Sequence, residues 1–444
     1  MAEVRVLEEI RALPAPPTPS ATLPITFFDA AWLFTGPVER LFFYRHSDPT
    51  SALPLLAASL PHALRRFYPL AGSLSLSSQC LTYSHGDALS LVLAESQDPD
   101  AFDRLVATGP RDLRETRPLV PRLPPPREDG AFALAALQAT VFPGRGLCLG
   151  VSVHHAACDD ASATLFVRTW AAACRLGGSL GDAPAPPVLD RSLVTDPDDL
   201  LGRTLAGMRR LASNPPPPPP PPAQETEMPV MIASFQLTRD QIDGIKDAAA
   251  SHGVQSRPSS FVAASALAWV CLLRSGAVGV GGAARSHMLF SAECRSRLTP
   301  PLPAEYFGNC LRPCFVEAAT SELLLAGGVG AAAAAIGSAI RGMERGVLEG
   351  AEGWLGKVLS VLPQRPMSVG GSPRHGVYEG ADFGWGRPCR VDMVSIEKTP
   401  GTVSLAEGPD GGEGGVEVGV VLPPDAMEAF SACFTDLVRL NHKS

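Results

Sequence analysis

Apolar runs of about four to seven residues alternate along the chain with stretches in which apolar positions recur at helical spacing. This alternation predicts two α/β layers rather than a helical bundle or an all-β sandwich. In the first half the runs predict strands at Ile25–Phe27, Leu89–Leu93 and Leu147–Val153, with a helix over Ala161–Ala172. In the second half they predict strands at Val230–Phe235, His287–Ala292, Val391–Ile396 and Val416–Leu422. A second-half helix should open at Pro258-Ser259-Ser260, where a proline and two hydroxyls suit a helix start, and run to about Arg274.

The clearest interruption is a run of eight prolines, Pro215–Pro222. Consecutive prolines donate no backbone hydrogen bonds and hold an extended form, so this stretch cannot lie inside a helix or a central strand. It predicts a stiff crossover linker over 201–229, between an N-terminal domain over 1–200 and a C-terminal domain over 230–444. No repeat of fixed period is present.

At 444 residues the chain is about three times the commonest domain size, which suits two domains. Apolar residues make up 45% of it and charged residues 18%, enough to build a core and too few charges for a disordered chain. A net charge of −8 with no basic cluster argues against a nucleic-acid partner. The ten cysteines form no Cys-x-x-Cys pair, and most stand in apolar runs, as expected of free thiols in a reducing compartment. The acidic start Glu3, Glu8, Glu9 is unlike a signal peptide, and no segment reaches about 18 uninterrupted apolar residues. A cytoplasmic monomer without membrane partners is expected.

Candidate chemistry concentrates at Val151-Ser152-Val153-His154-His155-Ala156-Ala157-Cys158-Asp159-Asp160. A strand ends on two histidines, turns, and enters a helix that Asp159 or Asp160 can cap. A histidine held at a strand end can accept the proton of an attacking alcohol. From residue types alone, the pair can equally be core histidines, and metal ligation with the acidic neighbours is a lesser alternative. Asp159 is placed to fix the loop rather than to touch the imidazole.

A second motif is Asp382-Phe383-Gly384-Trp385-Gly386, two glycines around a tryptophan, which favours a rigid structural turn. A third is Glu293-Cys294-Arg295-Ser296-Arg297, leading into Tyr306-Phe307-Gly308-Asn309-Cys310. One of Arg295 and Arg297 can point inward to a buried acid, and Asn309 can either reach a ligand carbonyl or close a turn. There is no Gly-Lys-Ser/Thr phosphate loop and no His-Glu-x-x-His zinc helix, and the Gly-x-Ser-x-Gly string at Gly177–Gly181 follows a helix where a nucleophile elbow needs a strand.

The order and spacing of His155-x-x-x-Asp159 and Asp382–Gly386, with Leu23–Asp29, Tyr68–Gly72 and Asp190–Ser192, resemble the plant BAHD acyltransferase family over nearly the whole chain. Tyr306–Cys310 resembles the branch that acylates anthocyanins and other flavonoid or phenolic glucosides, often from malonyl-CoA. The resemblance implies a two-domain fold similar to chloramphenicol acetyltransferase, with mixed sheets, helices and a channel between the domains. Late strands of the second half can then join the first domain's sheet.

It further implies an acyl-CoA co-substrate, no metal, and small-molecule acceptors. His155 would be the general base, Asp159 its structural support paired with Arg295 or Arg297, and Asp382–Gly386 a support outside the reacting centre. Arg295, Arg297 and Asn309 are candidates for acyl recognition. For the coenzyme phosphates, Ser259 and Ser260 at a helix N-terminus beside Arg257 form a physically reasonable site. Two positions depart from the family pattern: Asp160 stands where glycine is common, altering the helix start and the charge near the base, and Glu293 where aspartate is common. Alternatives are hydroxycinnamoyl or acetyl transfer to another alcohol or amine, or a non-catalytic ligand-binding member in which Asp160 has disabled the base.

Overall fold

The structure, a computed structural model, describes residues 3–213, 229–250, 257–409 and 414–441. The chain forms two compact units. The first comprises Met1–Thr195, Leu298–Cys310 and Arg374–Ser395, and the second Asp196–Arg297, Leu311–Pro373 and Ile396–Ser444.

The first unit is built on a six-stranded mixed sheet in the order Val4–Ala12, Leu89–Ser96, Ala135–Phe142, Gly146–Val153, Val38–Arg45, Arg390–Met393. All eight residues of Gly146–Val153 are buried, and the strand has hydrogen-bonded neighbours on both edges. That explains its near-continuous apolar run, for a strand covered on both faces has no reason to alternate. A smaller antiparallel sheet orders Ala21–Pro24, Cys80–Tyr83, Ser73–Ser75 and Phe132–Ala133. The helices Ala52–Arg66 and Asp160–Arg175 pack together, and the indole of buried Trp170 donates to Ser59 Oγ at 3.1 Å.

In the second unit, six strands follow the order Leu311–Ala319, Arg285–Glu293, Met367–Gly371, Thr402–Glu407, Val416–Leu422, Met231–Leu237. Helix Ser260–Arg274 is buried without a break from Val262 to Leu272, apolar but for Ser265, and packs against the helices Gly328–Gly342 and Pro424–Asn441. Among the described residues no helix is long and apolar enough to cross a membrane.

Several sequence expectations differ from this architecture. Ile25–Phe27 is not a strand: the strand ends at Pro24, and Thr26 caps a short helix, Phe27–Ala30, by giving its amide and hydroxyl to Asp29 Oδ2, both at 2.8 Å. The strand expected to Ile396 stops at Met393 and passes into a 3₁₀ turn. The proline run Pro215–Pro222 lies outside the described residues, but the linker assigned to 201–229 begins as helix, since Leu200–Ser213 is helical with Leu200 and Leu205 turned inward.

The division at 230 also follows the chain rather than space. Leu298–Cys310 and Arg374–Ser395, the latter carrying Asp382–Gly386, belong to the first unit. The cause is pairing: Arg390–Met393 runs antiparallel to Val38–Arg45, and the buried Asp392 receives a bidentate pair from Arg111 at 2.7 and 3.1 Å.

Candidate active site

The strand Gly146–Val153 delivers its last residue beside Ala135 and Val38, and the chain then leaves the sheet. The His154 amide donates to Leu134 O at 2.8 Å and the Ala157 amide to His154 O at 2.8 Å, which closes a tight turn. Asp159 ends that turn as the N-cap of helix Asp160–Arg175. Its Oδ1 accepts from the Ser162 amide at 3.1 Å and its Oδ2 from the Cys310 amide at 3.2 Å. A capping carboxylate of this kind is worth about 1 kcal/mol to the helix and holds the start of the turn's exit in place.

The two histidines have different surroundings. His154 is buried, its Nδ1 accepts from the Ala156 amide at 3.2 Å, and burial pushes its pKa down to about 4, with the neighbouring His155 adding to the shift. His155 lies flat on the indole of Trp32, with ring centroids 3.8 Å apart and planes 3° apart. The residue as a whole is half-buried. Its Nδ1 is buried without a hydrogen-bond partner among the described residues. Burial pushes its pKa below the ordinary value near 6.5, against the opposing pull of the Asp159 and Asp160 charges. The result is a neutral imidazole at physiological pH.

The segment Tyr306–Cys310 acts as a clasp on this turn. Asn309 Nδ2 donates to His155 O at 2.8 Å and to Asp29 Oδ1 at 3.0 Å, while the Asn309 amide donates to the same Oδ1 at 3.0 Å. Arg191 completes the cluster, with Nη1 2.7 Å from Asp29 Oδ2 and Nη2 3.3 Å from Ala157 O; both side chains of this ion pair are sealed from solvent. Gly308 has φ of 151° and a Cβ there would sit 2.5 Å from the Arg191 guanidinium, so the close approach requires glycine. Asn309 thus positions the His155 backbone, and its Oδ1 is left buried without a partner among the described residues.

Asp160 does not stand against the imidazole as an isolated charge. Its carboxylate pairs with Arg40 at 2.8 Å and with His375 Nδ1 at 2.6 Å. Burial alone would raise its pKa, but the charges of Arg40 and His375 outweigh that and hold it far below the usual carboxylate range.

Asp382–Gly386 forms a turn in which Asp382 Oδ1 accepts from the Gly384 and Gly386 amides at 2.8 and 3.0 Å, with both glycines at positive φ. Phe383 meets Trp170 edge-on at 5.1 Å and Trp385 lies edge-on to Tyr44 at 6.1 Å, while the Asp382 carbonyl accepts from Arg175. The motif therefore braces the helix and strand behind the histidine turn.

The remaining candidates lie in the second unit. Arg295 is buried and pairs with Glu293 at 3.2 Å, and Arg297 is exposed. Ser259 caps helix Ser260–Arg274, accepting from the Val262 amide at 3.3 Å. Arg257 is half exposed and already engaged by Asp243 at 3.2 Å and Asp247 at 2.9 Å, so a phosphate there would have to compete with two carboxylates.

A family model for the Transferase family matches residues 2–437. The chain belongs to this family, the BAHD acyltransferases. It is therefore an acyltransferase that uses acyl-CoA as co-substrate. The chain is 32% identical to malonyl-coenzyme:anthocyanin 5-O-glucoside-6'''-O-malonyltransferase of Salvia splendens, over 97% of this chain and 94% of the relative. It is 33% identical to coumaroyl-CoA:anthocyanidin 3-O-glucoside-6''-O-coumaroyltransferase 2 of Arabidopsis thaliana, over 93% and 92%. The crystal structure of vinorine synthase matches with a TM-score of 0.72 at 20% identity, covering 98% of each chain. That likeness carries the fold, the chloramphenicol-acetyltransferase-like architecture of this BAHD acyltransferase.

Sequence reasoning missed Asp29, Trp32, Arg40, Arg191 and His375. Asp29 and Arg191 do sit inside Leu23–Asp29 and Asp190–Ser192, two of the stretches that carry the resemblance, so a signal existed without a role attached. Nothing local to Trp32 or His375 marks it, because each acquires its place only through a partner more than 120 residues away.

Proposed function

We propose that this acyltransferase moves the malonyl group of malonyl-CoA to a hydroxyl of an anthocyanin, flavonoid or other phenolic glucoside, with His155 as general base. The observation that carries the base assignment is the environment of one ring: a neutral imidazole at a strand end, flat on Trp32, its backbone tied to Asn309. Since the buried nitrogen is Nδ1, Nε2 is the nitrogen through which the ring can meet a substrate. It takes the proton of the acceptor hydroxyl, the oxygen attacks the thioester carbonyl, and the tetrahedral oxyanion collapses to expel the coenzyme A thiolate. No covalent enzyme intermediate is needed. Asp159 acts as structural support, holding the turn and the helix start, and pairing with Arg295 or Arg297 belongs to the same reading.

For the donor, the malonyl preference rests on the Salvia relative and on Tyr306–Cys310. Arg295 or Arg297 would meet the malonyl carboxylate, whereas Asn309 has its amide committed to Asp29 and His155. Ser259 and Ser260, with Arg257, would hold the coenzyme phosphates at the helix N-terminus. Ten free cysteines agree with a cytoplasmic location, and a monomer completes the reading.

A malonyl donor brings a carboxylate that must find a cation in a partly dry site, a cost that acetyl-CoA avoids. Steady-state kinetics with one glucoside acceptor should then favour malonyl-CoA over acetyl-CoA and coumaroyl-CoA by about ten-fold or more in kcat/KM, on the order of 1.4 kcal/mol. Equal use of the three donors, or a preference for coumaroyl-CoA, would remove the malonyl assignment and leave the acyltransferase assignment standing.

A further inference from the structure

Strand Arg285–Glu293 lies antiparallel to Leu311–Ala319 in the second unit, with His287 opposite Glu317 and Leu289 opposite Phe315. Met288, Cys314 and Val316 belong to the buried core, so the alternate positions Arg285, His287, Phe315 and Glu317 share the other face of this strand pair. Helix Trp354–Val361 is pinned to the second strand by two cation–ring contacts: Arg312 lies over the Trp354 ring at 5.5 Å and Lys357 Nζ over the Phe315 ring at 4.5 Å. Strands and helix enclose a groove of about 590 Å³, walled by those four strand positions and, on the helix side, by Lys357, Ser360 and Val361. The helix has apolar surface to spare. Trp354, Leu355, Val358, Leu359 and Val361 are apolar, yet none of its residues is buried. Apolar surface left open beside convergent polar groups is the usual form of a ligand site.

Charge fixes the sign of the occupant. Glu317, the acid of the groove, is taken up by Arg285 Nε at 2.5 Å, with His287 Nδ1 3.8 Å from its other oxygen. Lys357 has no acidic partner among the described residues and stays over Phe315. The groove therefore holds an unmatched cation. It is also far larger than an inorganic anion needs, and apolar at Phe315, Val361 and Met288. We propose that this groove of the second unit is a further binding site, separate from the His155 turn of the first unit, and that it takes a small aromatic carboxylate of cinnamate size. The carboxylate pairs with Lys357 Nζ and accepts from the His287 ring, while the aromatic ring packs on Phe315 and Val361.

Isothermal titration calorimetry of the full-length enzyme with cinnamate, under saturating coenzyme A, reads this site. Cinnamate should bind with a Kd below about 1 mM, and both cinnamyl alcohol, the same shape without the charge, and acetate, the charge without the ring, should bind about ten-fold more weakly or worse. Lys357→Gln should weaken cinnamate about ten-fold, whereas Lys357→Arg, which keeps the cation, should stay within about two-fold of the wild type. Lys357 is exposed, so neither change threatens the fold, and Lys357→Gln should transfer acyl groups at the wild-type kcat. A cinnamate Kd above about 1 mM, equal binding of cinnamyl alcohol or acetate, wild-type affinity in Lys357→Gln, or a lowered kcat in that variant would each overturn the proposal.

Discussion

Replacing His155 by alanine is expected to lower kcat/KM for acyl transfer by about 10³, within the 10² to 10⁴ that a positioned general base contributes. The loss should fall on kcat, because the proton is abstracted in the transition state and the ring need not contribute to ground-state affinity for the coenzyme. The fold should survive. The buried Nδ1 has no hydrogen-bond partner among the described residues, so removing the ring breaks no hydrogen bond at that atom. The Trp32 face is uncovered, which costs packing but no hydrogen bond. A variant with normal melting behaviour, near-normal coenzyme A affinity and residual transfer about 10³ below wild type is the expected result. Near-wild-type turnover would move the base elsewhere.

The second large effect concerns stability. Asp29 is completely buried and accepts from five donors: the Thr26 amide and hydroxyl, Arg191 Nη1, and the Asn309 amide and side chain. Asp29→Ala leaves the Arg191 guanidinium sealed in the protein without its counter-charge, a loss of about 3 to 5 kcal/mol. For a unit of this size that lowers the melting temperature by on the order of 10 °C. Turnover should fall as well, since Asn309 loses the anchor from which it holds the His155 carbonyl. Thermal melts and urea titrations read the effect directly. The double variant Asp29→Leu, Arg191→Met should be more stable than Asp29→Ala, because a volume-filling apolar pair carries no stranded charge. A single variant with unchanged melting would mean that the guanidinium finds another partner.

What could be read from the chain follows from how local the responsible interaction is. Val416–Leu422 was legible to the residue from its apolar run, and the helix Ser260–Arg274 to within about two residues from the Pro258-Ser259-Ser260 start. Ile25–Phe27 misled because three apolar or β-branched residues look like strand, while the outcome is decided by Asp29 three residues on, whose carboxylate turns Thr26 into a cap. The placement of His155 just past a strand end and of Asp159 as a helix cap was legible because strand end, turn and cap are contiguous.

The clasp was not, since Asn309 reaches Asp29 across 280 residues and nothing near either position requires the other. Asp160 shows the same limit from the opposite side. As a sequence departure it suggested a disturbed base; in the fold its charge is taken up by Arg40 and His375, the latter 215 residues away.

The pH dependence of acceptor-dependent thiol release from malonyl-CoA tests the claim of a neutral His155 base most directly. Because burial lowers the pKa of that imidazole, the proton-accepting form persists below pH 6.5, and the acidic limb of kcat/KM should have its midpoint below that value. A midpoint at or above 6.5, or thiol release that keeps the same acidic limb in His155→Ala, would contradict it.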